Sequence, residues 1–303
     1  MILIASVPSS VGTMLKYQNI NLDKIDPLTK NKDKKGGFEQ FTKSKRNALL
    51  ILPRYVYNLG RSEVNVIDLN SLETIHTYKH DIDKMNDQVK NTKEFPRLRI
   101  DHSPVRFQYN HPILFEDGSL TSMYGPVFKL DFCSNLQWIN DEENFHHSQM
   151  VNHEGNIWIG GTMSPKSKYL KQYATKDFVD DSIIKINTDG KILFNKSVTK
   201  ILIDNNLVDE NIALSHDPIH INDIEPVFND TEYWKRGDLF LSLRHQSAII
   251  HYRPSNNKVI NYIVGPFSQQ HDVDIISDKE ISLFNNNNTF SNNKYSEIII
   301  YDF

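Results

Sequence analysis

The sequence predicts an all-β fold, a β-propeller, on three observations. Short strand-like stretches follow one another along the chain, a strand-and-turn unit recurs, and histidines fall at one place in successive units. Each has its own physical basis.

The strands come first. Stretches rich in Ile, Val, Leu, Phe and Tyr, most of them bounded by Gly, Asn, Asp or Ser, cover 47–57, 63–69, 74–79, 112–115, 126–131, 156–160 and 182–187. They continue over 191–195, 238–243, 248–253, 258–264, 280–284 and 297–301. β-branched and aromatic side chains between turn residues are the composition that a half-buried pleated surface selects. Amphipathic helix is expected only in short pieces, over 200–207 and within the charged stretch 81–95.

The repeat comes second. VNVIDLNSLETI, VFKLDFCSNLQWI, IIKINTDGKILF and IIHYRPSNNKVI share a β-rich strand and a polar turn, and IIIYDF opens the same way. Their first residues, Val64, Val127, Ile183, Ile249 and Ile298, are 63, 56, 66 and 49 residues apart. GNIWIGG, GDLFLSL and KEISLF precede the last three. A loosely constant period of this kind is the mark of propeller blades with loop insertions; a sandwich of unrelated hairpins is the competing architecture.

Composition fits a compact domain. The chain has 303 residues, 39% hydrophobic and 24% charged, enough for a substantial core. With Lys+Arg 34 against Asp+Glu 38, the net charge of −4 argues against a nucleic-acid partner, which requires a basic footprint. One cysteine, Cys133, excludes an internal disulfide framework and a multi-cysteine metal site. Residues 43–303 are assigned to the propeller. Residues 1–42 form an N-terminal segment in which MILIASVPSSVGTML, lacking a basic start and interrupted by Pro8, reads as a first strand or a trimmed anchor remnant.

The histidines come third. In FHHSQMVNHEGNIWIGG, SHDPIHINDIEPV and FSQQHDVDIISDKEISLF, a His precedes the Gly- or polar-led strand by 9 to 18 residues (147 to 156, 220 to 238, 271 to 280). That spacing places each on a connection entering a blade's inner strand, facing a common channel, with Arg244 and His245 at the end of LFLSL. Taken singly, each has an ordinary structural reading: a satisfied His, turn-forming Asn222 and Asp223, Arg244 paired with Asp223 or Glu225. His153 sits in a hairpin turn. His80, His102 and His111 lie in the less regular half, where His102 and His111, in RIDHSPVRFQYNHP, are secondary candidates for reaching the channel. Together, imidazoles and one guanidinium suit nucleophilic or acid–base chemistry on an anionic group. A transition-metal site remains a second possibility, left unforced by a shortage of channel carboxylates.

At these motifs, and from about Phe107 to the C-terminus, the chain resembles the arylsulfotransferase family. The resemblance implies a six-bladed propeller that transfers sulfate between phenols without a nucleotide sulfate donor, cofactor or metal. By motif, His271 is the nucleophile that becomes sulfated; His220 and Asn222 are the His and Asn of H-x-N. Arg244 is the Arg after the inner strand, and His147, or its neighbour His146, is the His of the HH pair. The partners implied are a small phenolic sulfate donor and a phenol acceptor; the oligomeric state stays open. A periplasmic or membrane-anchored location is implied too, although the chain shows no convincing signal. The single Cys cannot supply the disulfide of the larger periplasmic members, and the chain ends at YDF, partway through a blade. A metal-dependent propeller lyase or hydrolase, and a non-catalytic propeller binding an anion, are the alternatives. The run 285–288 (NNNN) reads as compositional drift.

Overall fold

A computed structural model of the chain describes residues 38, 40–42, 47–56, 59–90, 107–167, 170, 177–208, 216–286 and 295–303. The expected N-terminal strand and His102 lie outside them. The strands are β1 (Leu49–Val56), β2 (Arg61–Asp68), β3 (Thr74–Tyr78), β4 (Asn110–Leu114), β5 (Leu120–Met123), β6 (Gly125–Leu130), β7 (Leu136–Val151), β8 (Ile157–Thr162) and β9 (Asp181–Ile186). They continue with β10 (Ile192–Ser197), β11 (Ile221–Pro226), β12 (Leu239–Leu243), β13 (Ala248–Arg253), β14 (Lys258–Val264), β15 (His271–Ile275), β16 (Glu280–Asn285) and β17 (Glu297–Asp302). Two short helices, α1 (Ile82–Asn86) and α2 (Val198–Asp204), interrupt the series. The Ser197 hydroxyl accepts the Lys200 N–H at 3.1 Å and so starts α2 ahead of the expected 200.

Within each sheet every strand pairs antiparallel with its neighbours in sequence, so the sheets are meanders: β1–β3, β4–β10, β11–β14 and β15–β17. The seven-stranded sheet is two blades sharing one strand. The first half of β7 pairs with β6 (Val127↔Asn140 to Leu130↔Leu136) and the second half with β8 (Asn144↔Thr162 to Val151↔Ile157). The described residues thus build five blades, and the fold is an all-β propeller. Tight turns close the hairpins. Asn152 Oδ1 accepts the N–H groups of Glu154 and Asn156 at 3.0 and 2.9 Å, the side-chain turn that Asn favours. Asn187 repeats the device between β9 and β10, and Gly190 there has φ 80° with the Trp138 ring 2.6 Å from where a Cβ would stand.

The core lies between blades. Val64, Val66 and Tyr78 pack with Phe107, Leu120 and Phe128; Met123 and Val127 with Phe145, Ile157 and Ile184. Trp158, Ile183 and α2 pack with Ile221, Leu239 and Leu241, and Phe240, Ile249 and Ile263 with Phe267, Val273 and Leu283. Each fully buried side chain of this kind stabilises by about 1.5–3 kcal/mol, so the blades are glued face to face. Among the described residues no helix is long and apolar enough to cross a membrane.

One expectation is corrected. The Gly- or polar-led strands are not innermost: they are β8, β12 and β16, the second strands. The innermost strands are the His-bearing segments themselves, the second half of β7, β11 and β15, with β4 as their counterpart in the preceding blade. These strands line a polar channel, so they lack the apolar run that marks the others.

Candidate active site

The inner strands are laid side by side, β4 on β7, β7 on β11, β11 on β15. Main-chain bonds run between them through side chains. The Ser148 hydroxyl accepts the Ile224 N–H at 3.1 Å, and Asp223 Oδ2 accepts the Val273 N–H at 2.8 Å. Each inner strand also carries a register irregularity at its entry: between Asn110 and Ile113, His146 and Gln149, Ile221 and Asp223, and His271 and Asp274. A β-bulge re-aims side chains at a rim. Here His111, His147, His220 and Asp272 take positive φ of 40°, 66°, 52° and 58° beside it, a conformation that costs on the order of 1–3 kcal/mol for a non-glycine residue and concentrates at functional sites.

A cavity of about 620 Å³ opens there, lined by Asn110, His111, His146, His147, Asn222, His271, Asp272, Phe284 and Asn286. Of the residues singled out in the sequence, His146, His147, Asn222 and His271 face it directly. His220 joins them through its ring, whose centroid lies 4.8 Å from that of His147. Arg244 stands behind His271: its guanidinium donates to Gln269 Oε1 at 3.1 Å, two residues away, and lies 2.6 Å from His245 Nε2. It opens a 3₁₀ turn (Arg244–Gln246) after β12 rather than ending the strand, and its partners are these, not Asp223 or Glu225.

The two rings of the HH pair are joined to each other. His146 Nδ1 and His147 Nδ1 are 2.7 Å apart, so one proton is shared and one ring donates while the other accepts. On its far side His146 Nε2 is 3.4 Å from Asp181 Oδ1, and Asp181 also accepts the Ile221 N–H at 2.8 Å. Burial, then the neighbouring His146, His220 and His271, pushes the His147 pKa down to about 3. His147 therefore offers a neutral imidazole.

His220 is held differently. Its Nδ1 donates to Asp217 Oδ2 at 2.5 Å, and its main-chain N–H donates to Asp217 Oδ1 at 3.1 Å. Burial alone would raise the Asp217 pKa, but the hydrogen bond and charge of His220, with His245, bring it below the ordinary carboxylate value. An aspartate so placed fixes the orientation and tautomer of the His220 ring, with Nδ1 as the donor. His245 Nδ1 donates to the Asp217 carbonyl at 2.6 Å, which leaves Nε2 to accept from Arg244.

His271 opens β15. Its Nδ1 lies 3.1 Å from the Gln269 carbonyl and 2.7 Å from the Asn286 amide nitrogen. The two contacts correspond to two tautomers, Nδ1–H donating to the carbonyl or Nδ1 accepting from the amide. Burial is the main cause of its lowered pKa, with Arg244 and His220 acting in the same direction. Asn222, 4% exposed, donates through Nδ2 to the Gln270 carbonyl at 2.7 Å, and its Oδ1 has no protein partner among the described residues.

Sequence reasoning missed several members. Asp217, Gln269, Asn286 and Asp272 are brought in by turns and by places one or two residues from a motif; His245, noted beside Arg244, is given no role by any motif. Asn285 and Asn286 are not drift: Asn285 Oδ1 accepts the Ser268 N–H at 2.9 Å, and Asn286 Nδ2 donates to the Gln269 carbonyl at 2.8 Å. Nor are carboxylates scarce around the channel. Asp223 and Glu225 on β11 face Asp272 and Asp274 on β15. Burial first, then mutual repulsion, raises the Asp223 and Glu225 pKa values to about 7 and 8. Among the described residues the metal alternative has one constellation: Asp217, His220 and His245 set one ligand atom each within 4.8 Å of one another. Those atoms are engaged in the hydrogen bonds just described, beside the cationic Arg244, a poor environment for a further cation.

The fold is a propeller in which a His–Asn–Arg cluster gathers at the entry of the inner strands. A family model described as Arylsulfotransferase (ASST) matches residues 109–303, and the chain belongs to that family. No curated protein matches the chain. Solved structures are similar at low identity. A protein of unknown function from Bacteroides caccae is 10% identical, covering 78% of this chain and 68% of its own, with a TM-score of 0.43. Kuenenia stuttgartiensis hydrazine synthase is 11% identical over 80% of this chain and 65% of its own, TM-score 0.44. A streptogramin B lyase is 11% identical over 79% and 61%, TM-score 0.42. The chain spans about two thirds of the length of these structures.

Proposed function

We propose that the chain is an aryl-sulfate sulfotransferase that moves a sulfuryl group from a phenolic sulfate ester to a phenol through a sulfohistidine at His271, in two half-reactions and without nucleotide sulfate. The observation that carries this is the convergence of three separate motifs: His147, Asn222 and His271 face one cavity from three adjacent inner strands.

Sulfuryl transfer resembles phosphoryl transfer, with a loose transition state, charge on the peripheral oxygens, and the entering and leaving atoms in line. In the tautomer with Nδ1–H donating to Gln269, His271 Nε2 carries the lone pair that forms the N–S bond. Asn222 has a second amide N–H for a sulfuryl oxygen, and His220, whose Nδ1 is taken up by Asp217, has Nε2 left to meet another. Arg244 adds a cation, which His245 and Gln269 hold in orientation. Losing one such contact costs on the order of 10²–10³ in rate.

The test is turnover of p-nitrophenyl sulfate with a phenol acceptor and no nucleotide. Release of nitrophenol that rises with acceptor, gives parallel double-reciprocal lines and vanishes in His271→Asn supports the reading; release undiminished in that variant overturns it.

A further inference from the structure

The repeat found in the sequence can be followed across the blades by pairing. Val127, Ile183, Ile249 and Ile298 oppose Met123, Gly160, Ser242 and Phe284 on the second strands. Those in turn oppose Asn110, His146, Asp223 and His271 on the innermost strands. The position that opens the HH pair on β7 and His271–Asp272 on β15, and that Asp223 takes on β11, is therefore occupied on β4 by Asn110, with His111 next to it. Asn110 and His111 line the same cavity as His146, His147, His271, Asp272 and Asn222, the residue before Asp223, yet no motif gave the β4 pair a role.

In-line transfer gives that fourth wall a task. With the nucleophile on β15 and the sulfuryl oxygens gripped from β7 and β11, the bond to the aryl oxygen points away from His271, and β4 lies beyond β7, at the other end of this run of inner strands. His111 lines the cavity with its side chain open to the channel; the surrounding protein lowers its pKa, and the charge of Asp272 acts the other way. Its main chain is pinned, since the Gln149 amide donates to the His111 carbonyl at 2.8 Å, and its φ of 40° re-aims the side chain at the bulge. Among the residues of this wall, an imidazole is the group that exchanges a proton near neutral pH.

We propose that His111 is the acid–base residue for the aryl oxygen. The proposal rests on the sulfotransferase reading above. In the acceptor half-reaction, neutral His111 takes the phenol proton and the phenolate oxygen forms the O–S bond. The N–S bond breaks with its electron pair returning to His271. In the donor half-reaction the sequence reverses: the S–O bond breaks toward oxygen, and His111, protonated from solvent, gives its proton to the departing oxygen.

The test is a leaving-group series. His111→Asn is chosen because Asn tolerates the left-handed backbone, and both half-reactions are followed with aryl sulfates and phenols of graded acidity. For ordinary phenols the variant is expected to lose about 10²-fold or more, the usual worth of a positioned acid or base. For p-nitrophenyl sulfate, whose phenolate departs unaided, the loss is expected to be far smaller, so the rate depends more steeply on phenol acidity. A rate unchanged for every phenol, or lowered equally for all of them as a merely structural residue would give, overturns the proposal. Absence of any His271-dependent transfer in the unsubstituted protein is a separate result: it removes the sulfotransferase reading, and this proposal with it.

Discussion

The side-chain amide of Asn222 donates to the main-chain carbonyl of Gln270 at 2.7 Å, tying the H-x-N segment of one blade to the QH segment of the next, one residue before His271. Two motifs 49 residues apart in sequence, counted from Asn222 to His271, are thereby one rigid unit. The bond also orients Asn222 with one N–H left for a ligand. Replacing Asn222 with Ala removes a donor and the tie together. The expected loss in kcat/KM is on the order of 10²–10³, measured by initial rates with p-nitrophenyl sulfate.

Asp217 does not reach the cavity lining, yet its carboxylate is the partner of His220 Nδ1. Asp217→Asn keeps the shape and removes the carboxylate that fixes the His220 ring. The expected result is a fall of about 10- to 100-fold in both half-reactions, as found when a neighbour that sets a catalytic group is changed. A thermal unfolding curve separates this from misfolding, with the midpoint shifting by no more than a few degrees.

The pH dependence follows from two depressed histidines. His271 is nucleophilic when neutral, and its pKa lies below the ordinary value. The donor half-reaction is therefore expected to hold its rate as pH falls through the ordinary histidine range, then drop. Stability has the same sign: His147, brought down to about 3, refuses in the folded state a proton that the unfolded chain accepts below about 6.5. Stability is thus progressively lost from about pH 6.5 downward. Asp223 works oppositely. Its folded pKa is raised to about 7, so its contribution is present below the unfolded value near 4 and fades as pH rises through 7. Asp223→Asn, which cannot ionise, is expected to unfold at a higher temperature than the unsubstituted protein at pH 8 and at a similar one at pH 4, by calorimetry.

Gly160 and Gly161 of the GNIWIGG segment separate packing from function. A Cβ at Gly161 would stand 2.5 Å from the Ile184 Cδ1 atom, a mobile side-chain end, whereas one at Gly160 would stand 3.0 Å from the main-chain oxygen of His146. Both Ala variants are expected to lose about 1–3 kcal/mol from overpacking, read by denaturant unfolding. Gly160→Ala moves the bulge that carries His146 and His147, so its activity is expected to fall several-fold further than that of Gly161→Ala.

The sequence made the second and third strands of the blades legible, because their faces pack between blades and demand Ile, Val, Leu and Phe; β8, β9, β12 and β13 all carry that run. The second half of β7, β11 and β15 were hidden by their own chemistry. HHSQ, INDIEP and HDVDI are polar because they wall a channel, and local rules fail most where a site is built. The motif residues His147, Asn222 and His271 were legible as a converging group. Asp217, His245 and Asn286 were not, because each acts through a hydrogen bond from a turn whose path no short-range pattern specifies. His111 was legible only as a secondary candidate for the channel, since the bulge that places it on the inner wall is a property of strand pairing.

The most direct test of the account is the intact mass of the protein after mixing with p-nitrophenyl sulfate alone, with the acceptor withheld, followed by peptide mapping at mildly alkaline pH, since N-sulfohistidine is acid-labile. The account predicts one added sulfuryl group, located on His271, absent in His271→Asn and discharged when a phenol is supplied. Nitrophenol release without any adduct, or an adduct on another residue that turns over with the phenol, would contradict it.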